Sequence, residues 1–172
     1  PLLLASSSVY RRDLLSRLRL PFTCSSPDID ESHRPGEIAT ELVKRLSLEK
    51  ARALAASHPN HLIIGSDQVA VLDGRIIGKP HTYEKAHQQL TTASGASVSF
   101  LTGLTLLNSQ TGHYQTDCVP FTVHMRSLSA EQIERYLRAE QPYDCAGSFK
   151  AEGLGVSLFQ RTEGDDATSL VG

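Results

Sequence analysis

The sequence predicts a single α/β domain with a mixed sheet, spanning residues 1–172. Three observations predict it. Short apolar strand patterns alternate with amphipathic helical patterns, two hairpins are recognisable, and no repeat, linker or low-complexity segment splits the chain. A chain of 172 residues can bury a substantial core. Its hydrophobic fraction of 40% and charged fraction of 21% are those of an ordinary soluble globular protein.

Leu2–Ala5 reads as a short buried strand, and Ser6-Ser7-Ser8 as a loop of potential N-caps. A helix follows over Val9–Leu18, with Leu14, Leu15 and Leu18 on one face. Arg11 and Arg12 fall in or beside its first turn, the end at which the helix dipole favours acids. An anion at this helix start would resolve the conflict, and Ser6, Ser8, Arg11 and Arg12 would then bind a phosphate. Solvated arginines and merely capping serines explain the pattern equally well. Pro21–Cys24 reads as a second short strand. Asp28, Asp30 and Glu31 form an acidic loop that could help hold a divalent cation or could be a solvated turn.

A long helix is predicted over Gly36–Ser57, with Ile38, Ala39, Leu42, Val43, Leu46, Ala53 and Leu54 as its apolar stripe. Lys50 falls within that stripe, so it either snorkels to the edge or serves a buried anion. The central stretch is Leu62–Pro80, LIIGSDQVAVLDGRIIGKP. It reads as a hairpin turning at Asp73-Gly74, a strong two-residue turn signal. Gly65 and Ser66 leave room for a ligand. Asp67 stands where a buried strand would carry Val or Ile, and the hairpin should bring Lys79 opposite it. Burying either charge alone would cost roughly several kcal/mol.

Thr82–Thr92 reads as a helix stopped by Ser94-Gly95. Ser97–Leu107 and His113–Met125 form a longer hairpin about Asn108–Gly112. Ser129 with Gln132 predicts a capping box and a further helix through Ile133, Tyr136 and Leu137. His113 and His124 read as strand-face residues. Gln141–Gly155 is a glycine-rich loop carrying Asp144, Lys150 and Glu152, followed by a strand over Val156–Gln160.

Net charge of −2 argues against a nucleic-acid polymer as ligand. No run reaches the ~18 apolar residues of a membrane span. Pro1 opens directly into a strand pattern, without a signal-peptide pattern. Cys24, Cys118 and Cys145 are widely spaced and form no Cys-x-x-Cys pair, which points to a reducing cytoplasm rather than to disulfides or zinc. Gly74–Pro80 superficially suggests a P-loop, but its glycine spacing is one short and Pro80 stands where Ser or Thr belongs. The cations Arg11, Arg12, Lys50 and Lys79 can bind a polyphosphate, and Glu31 and Asp67 can hold a metal and activate water. The residues themselves lead only to a phosphate-handling α/β protein.

LLLASSSVYRRDLL, RLSLEKA, GSDQVAVLDGRIIGKP and DCAGSFKAEGLG together resemble the motifs of the Maf family, across nearly the whole chain. The resemblance implies a curved mixed sheet with flanking helices, similar to inosine triphosphatase. It also implies a nucleoside triphosphate pyrophosphatase that uses a divalent metal, Mg or Mn. In that reading Asp67 is the general base and a metal ligand with Glu31. Ser6, Ser8, Arg11, Arg12, Lys50 and Lys79 bind phosphate.

The family's middle motif more often reads Gly-Ala-Asp-Thr, and its third often has Gln where Glu152 stands. Tyr10, Gln68 and Glu152 instead resemble the subgroup acting on 7-methyl-GTP, a house-cleaning activity against modified nucleotides. Two alternatives remain: a pyrophosphatase for dTTP and UTP, and a nucleotide-binding regulator of septation without turnover. The implied partner is a small nucleoside triphosphate, with no nucleic acid and no membrane; a homodimer is compatible with the family. Related sequences continue beyond Val171-Gly172 through Leu-Pro into a final helix, which implies that the family's last helix is absent from these residues.

Overall fold

A computed structural model describes residues 1–151 and 153–171. Its strands are β1 (Leu2–Ala5), β2 (Thr23–Ser25), β3 (Leu62–Leu72), β4 (Arg75–Ile77), β5 (Ser97–Asn108), β6 (Tyr114–Met125) and β7 (Phe159–Glu163). Its helices are α1 (Val9–Ser16), α2 (Ala39–Ala53), α3 (Tyr83–Ala93) and α4 (Ala130–Glu140). The strands follow the order β2-β1-β3-β5-β6-β7 in a mixed sheet, with β4 paired to β3. The α/β class predicted from alternating patterns is the class observed.

The chain divides into two compact units, one of residues 1–68 with 101–119, the other of 69–100 with 120–171. In the first, β1 lies between β2 and β3 and is parallel to both, with Ala5 opposite Ser25 and Leu4 opposite Ile64. Leu3, Ala5, Ala51, Leu54, Ile63 and Leu107 form its buried cluster. α2 presents Leu42, Val43, Leu46, Ser47 and Ala51 inward. It is shorter than predicted at both ends, and Ile38 and Ala53 of the predicted stripe are exposed. Ala51 takes the inward place because it, not Ala53, lies one turn from Ser47.

Two glycines set how closely α2 approaches the sheet. A Cβ on Gly65 would strike the Ser47 carbonyl oxygen, and one on Gly103 would strike the Val43 carbonyl oxygen. Only hydrogen in place of a side chain lets the helix backbone rest there. Ser47 itself is fully buried and donates to the Val43 carbonyl at 2.6 Å.

In the second unit the predicted hairpin turns at Asp73 (φ 51°) and Gly74 (φ 73°), the two positive φ values of a type I′ turn. Its ladder pairs Leu72 with Arg75 and ends at Ala70 opposite Ile77. Lys79 therefore lies beyond the ladder and is exposed, rather than on a paired strand as the sequence suggested. α3 packs Ala86, Leu90 and Ala93 inward. α4 opens with the predicted Ser129–Gln132 capping box and buries Ile133, Tyr136 and Leu137. Ile133 and Leu137 each contribute roughly 1.5–3 kcal/mol by burial. The strand predicted at Val156–Gln160 begins only at Phe159, because Leu154–Leu158 is a 3₁₀ turn. Phe149 stacks edge-on against Phe100 and Phe159, at 5.0 and 5.1 Å between ring centres, and ties the glycine-rich loop to this core.

Candidate active site

Because β2, β1 and β3 run parallel, the residues that follow β2 and β1 leave the sheet from the same end. That direction gathers three distant pieces of sequence: Ser6 to Arg11 after β1, the acidic loop after β2, and Asp67 within the continuing β3. Loops beyond the carboxyl ends of parallel strands are where α/β proteins bind ligands.

Ser8 caps α1, its Oγ accepting from the Arg11 N–H at 3.3 Å, and its own N–H donates to the buried Ser6 Oγ at 3.0 Å. The first turn of α1 carries no acid. Arg11 is half-buried and its Nε is shut off from solvent without a hydrogen-bond partner. Burial pushes the Arg11 guanidinium below its ordinary pKa, while the charges of Asp67 and Glu31 pull it back up. A guanidinium stays charged in any protein setting. A buried donor on a cation that finds no protein partner is able to bond an anion or a water. Arg12 is exposed.

Lys50 sits at the centre of the cluster. Its Nζ lies 2.9 Å from Asp67 Oδ1 and 2.6 Å from Glu31 Oε1. The Lys50 side chain is 11% exposed and that of Asp67 13%, while Glu31 reaches solvent at 56%. Lys50 thus does not snorkel into water: it pairs with two carboxylates. The close seat of α2 on Gly65 and Gly103 is what brings Lys50, one turn beyond Ser47, within reach of Asp67. Gly65, read from sequence as room for a ligand, is room for a helix.

Asp67 and Glu31 converge on one ammonium, so their oxygens form a donor pair able to take a divalent cation. Among the described residues no group of three or more His, Cys, Asp or Glu gathers at metal-binding distance. Gln68 donates to Thr102 Oγ1 at 3.0 Å, which fixes its amide. Tyr10 is half-buried on α1.

In the second unit, Tyr136 Oη accepts from the Lys150 N–H at 2.8 Å and holds the glycine-rich loop. Glu152 lies outside the described residues. Gln89 donates to the Gly78 carbonyl at 3.2 Å and accepts from Ser148 Oγ, so one α3 side chain holds the Lys79 segment and that loop.

The sequence reading missed Arg45. Its guanidinium bonds Glu37 through two nitrogens at 2.6 and 2.8 Å, Glu49 at 3.1 Å and the Ser32 carbonyl at 3.0 Å. The Arg45/Glu49 spacing of one helical turn was the available signal.

The profile of the family described as "Maf-like protein" matches residues 1–172. The chain belongs to the Maf family. Among curated relatives, a protein of Pseudomonas fluorescens Pf-5 named 7-methyl-GTP pyrophosphatase is 83% identical over 172 residues, covering 100% of this chain and 90% of the relative. Proteins of the same name from Pseudomonas aeruginosa PAO1 and Pseudomonas putida KT2440 are 71% and 70% identical, covering 99% and 100% of this chain and 89% and 90% of theirs. Among solved structures, that of the Staphylococcus aureus Ham1 protein aligns with a TM-score of 0.46 at 17% identity, over 73% of this chain and 70% of that one. No helix among the described residues is long and apolar enough to cross a membrane.

Proposed function

We propose that this Maf protein hydrolyses 7-methyl-GTP to 7-methyl-GMP and pyrophosphate, a house-cleaning reaction in the cytoplasm. The names of relatives 70–83% identical support the substrate. The observation that carries the chemistry is the convergence of Asp67 and Glu31 on Lys50, with the half-buried Arg11 guanidinium, whose Nε has no partner, in their field. A site for an anion alone has no use for two carboxylates; a site that activates water beside a phosphate does.

In this reading a water oxygen bonds to the α-phosphorus and loses its proton to Asp67. The bond from the α-phosphorus to the bridging oxygen breaks, and pyrophosphate leaves. Arg11 and Lys50 stabilise the charge that develops, and Arg12 and Lys79 add to it. Ser6 and Ser8 hydroxyls donate to phosphate oxygens. Asp67 and Glu31 would hold a divalent cation, Mg or Mn, which when bound screens the phosphates. Methylation at N7 makes guanine cationic. The Tyr10 ring would face it, worth roughly 0.5–2 kcal/mol, Glu152 would accept from its N1–H and amino group, and Gln68 would read a further edge.

The test is kcat/KM for 7-methyl-GTP, GTP, UTP and dTTP in wild type, Glu152→Gln and Asp67→Asn. Wild type should prefer 7-methyl-GTP, and Glu152→Gln should narrow the preference. Asp67→Asn should lose about 10²-fold or more in turnover while still binding nucleotide. Equal efficiency on 7-methyl-GTP and dTTP overturns the substrate. Near-normal turnover by Asp67→Asn removes the base.

A further inference from the structure

Residues 26–38, which carry Glu31, form no strand or helix. Such a segment has no backbone ladder to fix the side chain it presents, yet Glu31 stands 2.6 Å from the Lys50 ammonium. What fixes it comes from α2. Arg45, five residues before Lys50 on that helix, grips the Glu37 carboxylate with two nitrogens and the Ser32 carbonyl with one of the same pair. Glu49, beside Lys50, holds Arg45 at 3.1 Å and Arg34 at 3.3 Å. Glu37 in turn accepts from the Arg34 N–H at 3.1 Å, and the Asp30 carboxylate accepts from the Ser32 N–H at 2.9 Å. Arg45 and Glu49 thus tie Ser32, Arg34 and Glu37, on the carboxyl side of Glu31, to α2 up to the residue beside Lys50, while Asp30 closes a turn across Glu31 onto Ser32. The Arg45 and Glu37 side chains are only 14% and 9% exposed, so the clasp is not a solvated surface pair.

We propose that Arg45 is a positioning residue, clamping the Asp30–Glu37 loop onto α2 so that Glu31 is held on the Lys50 ammonium. Planarity is what suits arginine to this. A rigid fork engages the carboxylate and the carbonyl at once, where a lysine ammonium would supply a point charge. With the clasp gone the loop drifts, and small misplacements of a catalytic group are costly. The inference rests on Glu31 and Lys50 belonging to the reaction centre.

The experiment is a double-mutant cycle in kcat/KM on 7-methyl-GTP: wild type, Arg45→Gln, Glu31→Gln and both together, with Arg45→Lys and Glu37→Gln alongside and the melting temperature of each. Arg45→Gln should lower kcat/KM about tenfold in the wild-type background and less than about twofold in Glu31→Gln, because its effect runs through Glu31. Arg45→Lys should recover part of the loss. If Arg45→Gln fails to fold, Glu37→Gln, which keeps an acceptor in the same place, runs the same cycle. An equal loss in both backgrounds overturns the positioning role while leaving Glu31 in the site. Full activity of Glu31→Gln removes Glu31 from the reaction centre and the proposal with it.

Discussion

Replacing Lys50 by Met removes the cation shared by two carboxylates and leaves the apolar stem's volume nearly unchanged. At 2.9 Å the Lys50–Asp67 attraction is about 6 kcal/mol gross at an effective dielectric of about 20. Desolvating both groups offsets most of it, so the measurable loss is the cost of leaving Asp67 without its nearest cation. For a fully buried pair that cost is about 3–5 kcal/mol. Asp67 keeps 13% exposure and lies in the field of Arg11, and Glu31 is solvated enough to turn outward. These reduce the expected loss to about 2–3 kcal/mol, a fall of roughly 5–10 °C in melting temperature for a chain of this size. The assay is calorimetric melting of Lys50→Met, Asp67→Asn and the double variant, with turnover of each. Lys50→Met should be destabilised and inactive. The double variant should regain at least half of the lost stability, because no unpaired charge remains, and should stay inactive. An unchanged melting temperature in Lys50→Met would refute the buried-pair reasoning, as would a double variant no more stable than the single.

Two more outcomes follow from the first unit. Gly103→Ala places a methyl on the Val43 carbonyl oxygen, a backbone atom that cannot swing aside; melting should show a loss of about 1–3 kcal/mol or more, with turnover falling as α2 lifts Lys50 from Asp67, and a neutral substitution would refute the close-approach argument. The hydrogen bonds from Arg45 hold the Glu37 carboxyl at about 2, below its ordinary 4.5, so its contribution is complete above pH 4.5 and is lost as pH falls toward 2; the stability gap between wild type and Glu37→Gln, measured by denaturant unfolding, should be constant from pH 5 to 7 and shrink over that acid range.

How far the sequence reached depended on whether a signal was local. The Asp73-Gly74 turn and the Ser129–Gln132 capping box are complete within two to four residues, and both stand where they were predicted. Ser8 and Arg11, neighbours at a helix start, were legible for the same reason. Where a feature depended on packing between distant segments, local pattern misled. Lys50 in an apolar stripe offered two readings, and its partners, Glu31 and Asp67, are separated from it by 19 and 17 residues. The parallel order β2-β1-β3 had to be known before those three could meet. Gly65 showed in the sequence only as an absence of bulk, and what fills that absence is the Ser47 carbonyl of a helix. Val156 looked like a strand residue because its apolar neighbours allow a strand, yet the 3₁₀ turn at Leu154–Leu158 leaves it exposed. The clasp around Arg45 lay between the two cases. Its Glu49 arm is one helical turn away, but its grip on Ser32 and Glu37 depends on where an irregular loop comes to rest, which no periodicity encodes. The motif resemblance implied a chemistry that pattern could not, without saying why its residues should meet. The structure supplies the why for the first unit: parallel strands deliver the carboxylates to one end of the sheet, and two glycines let the lysine-bearing helix down onto them.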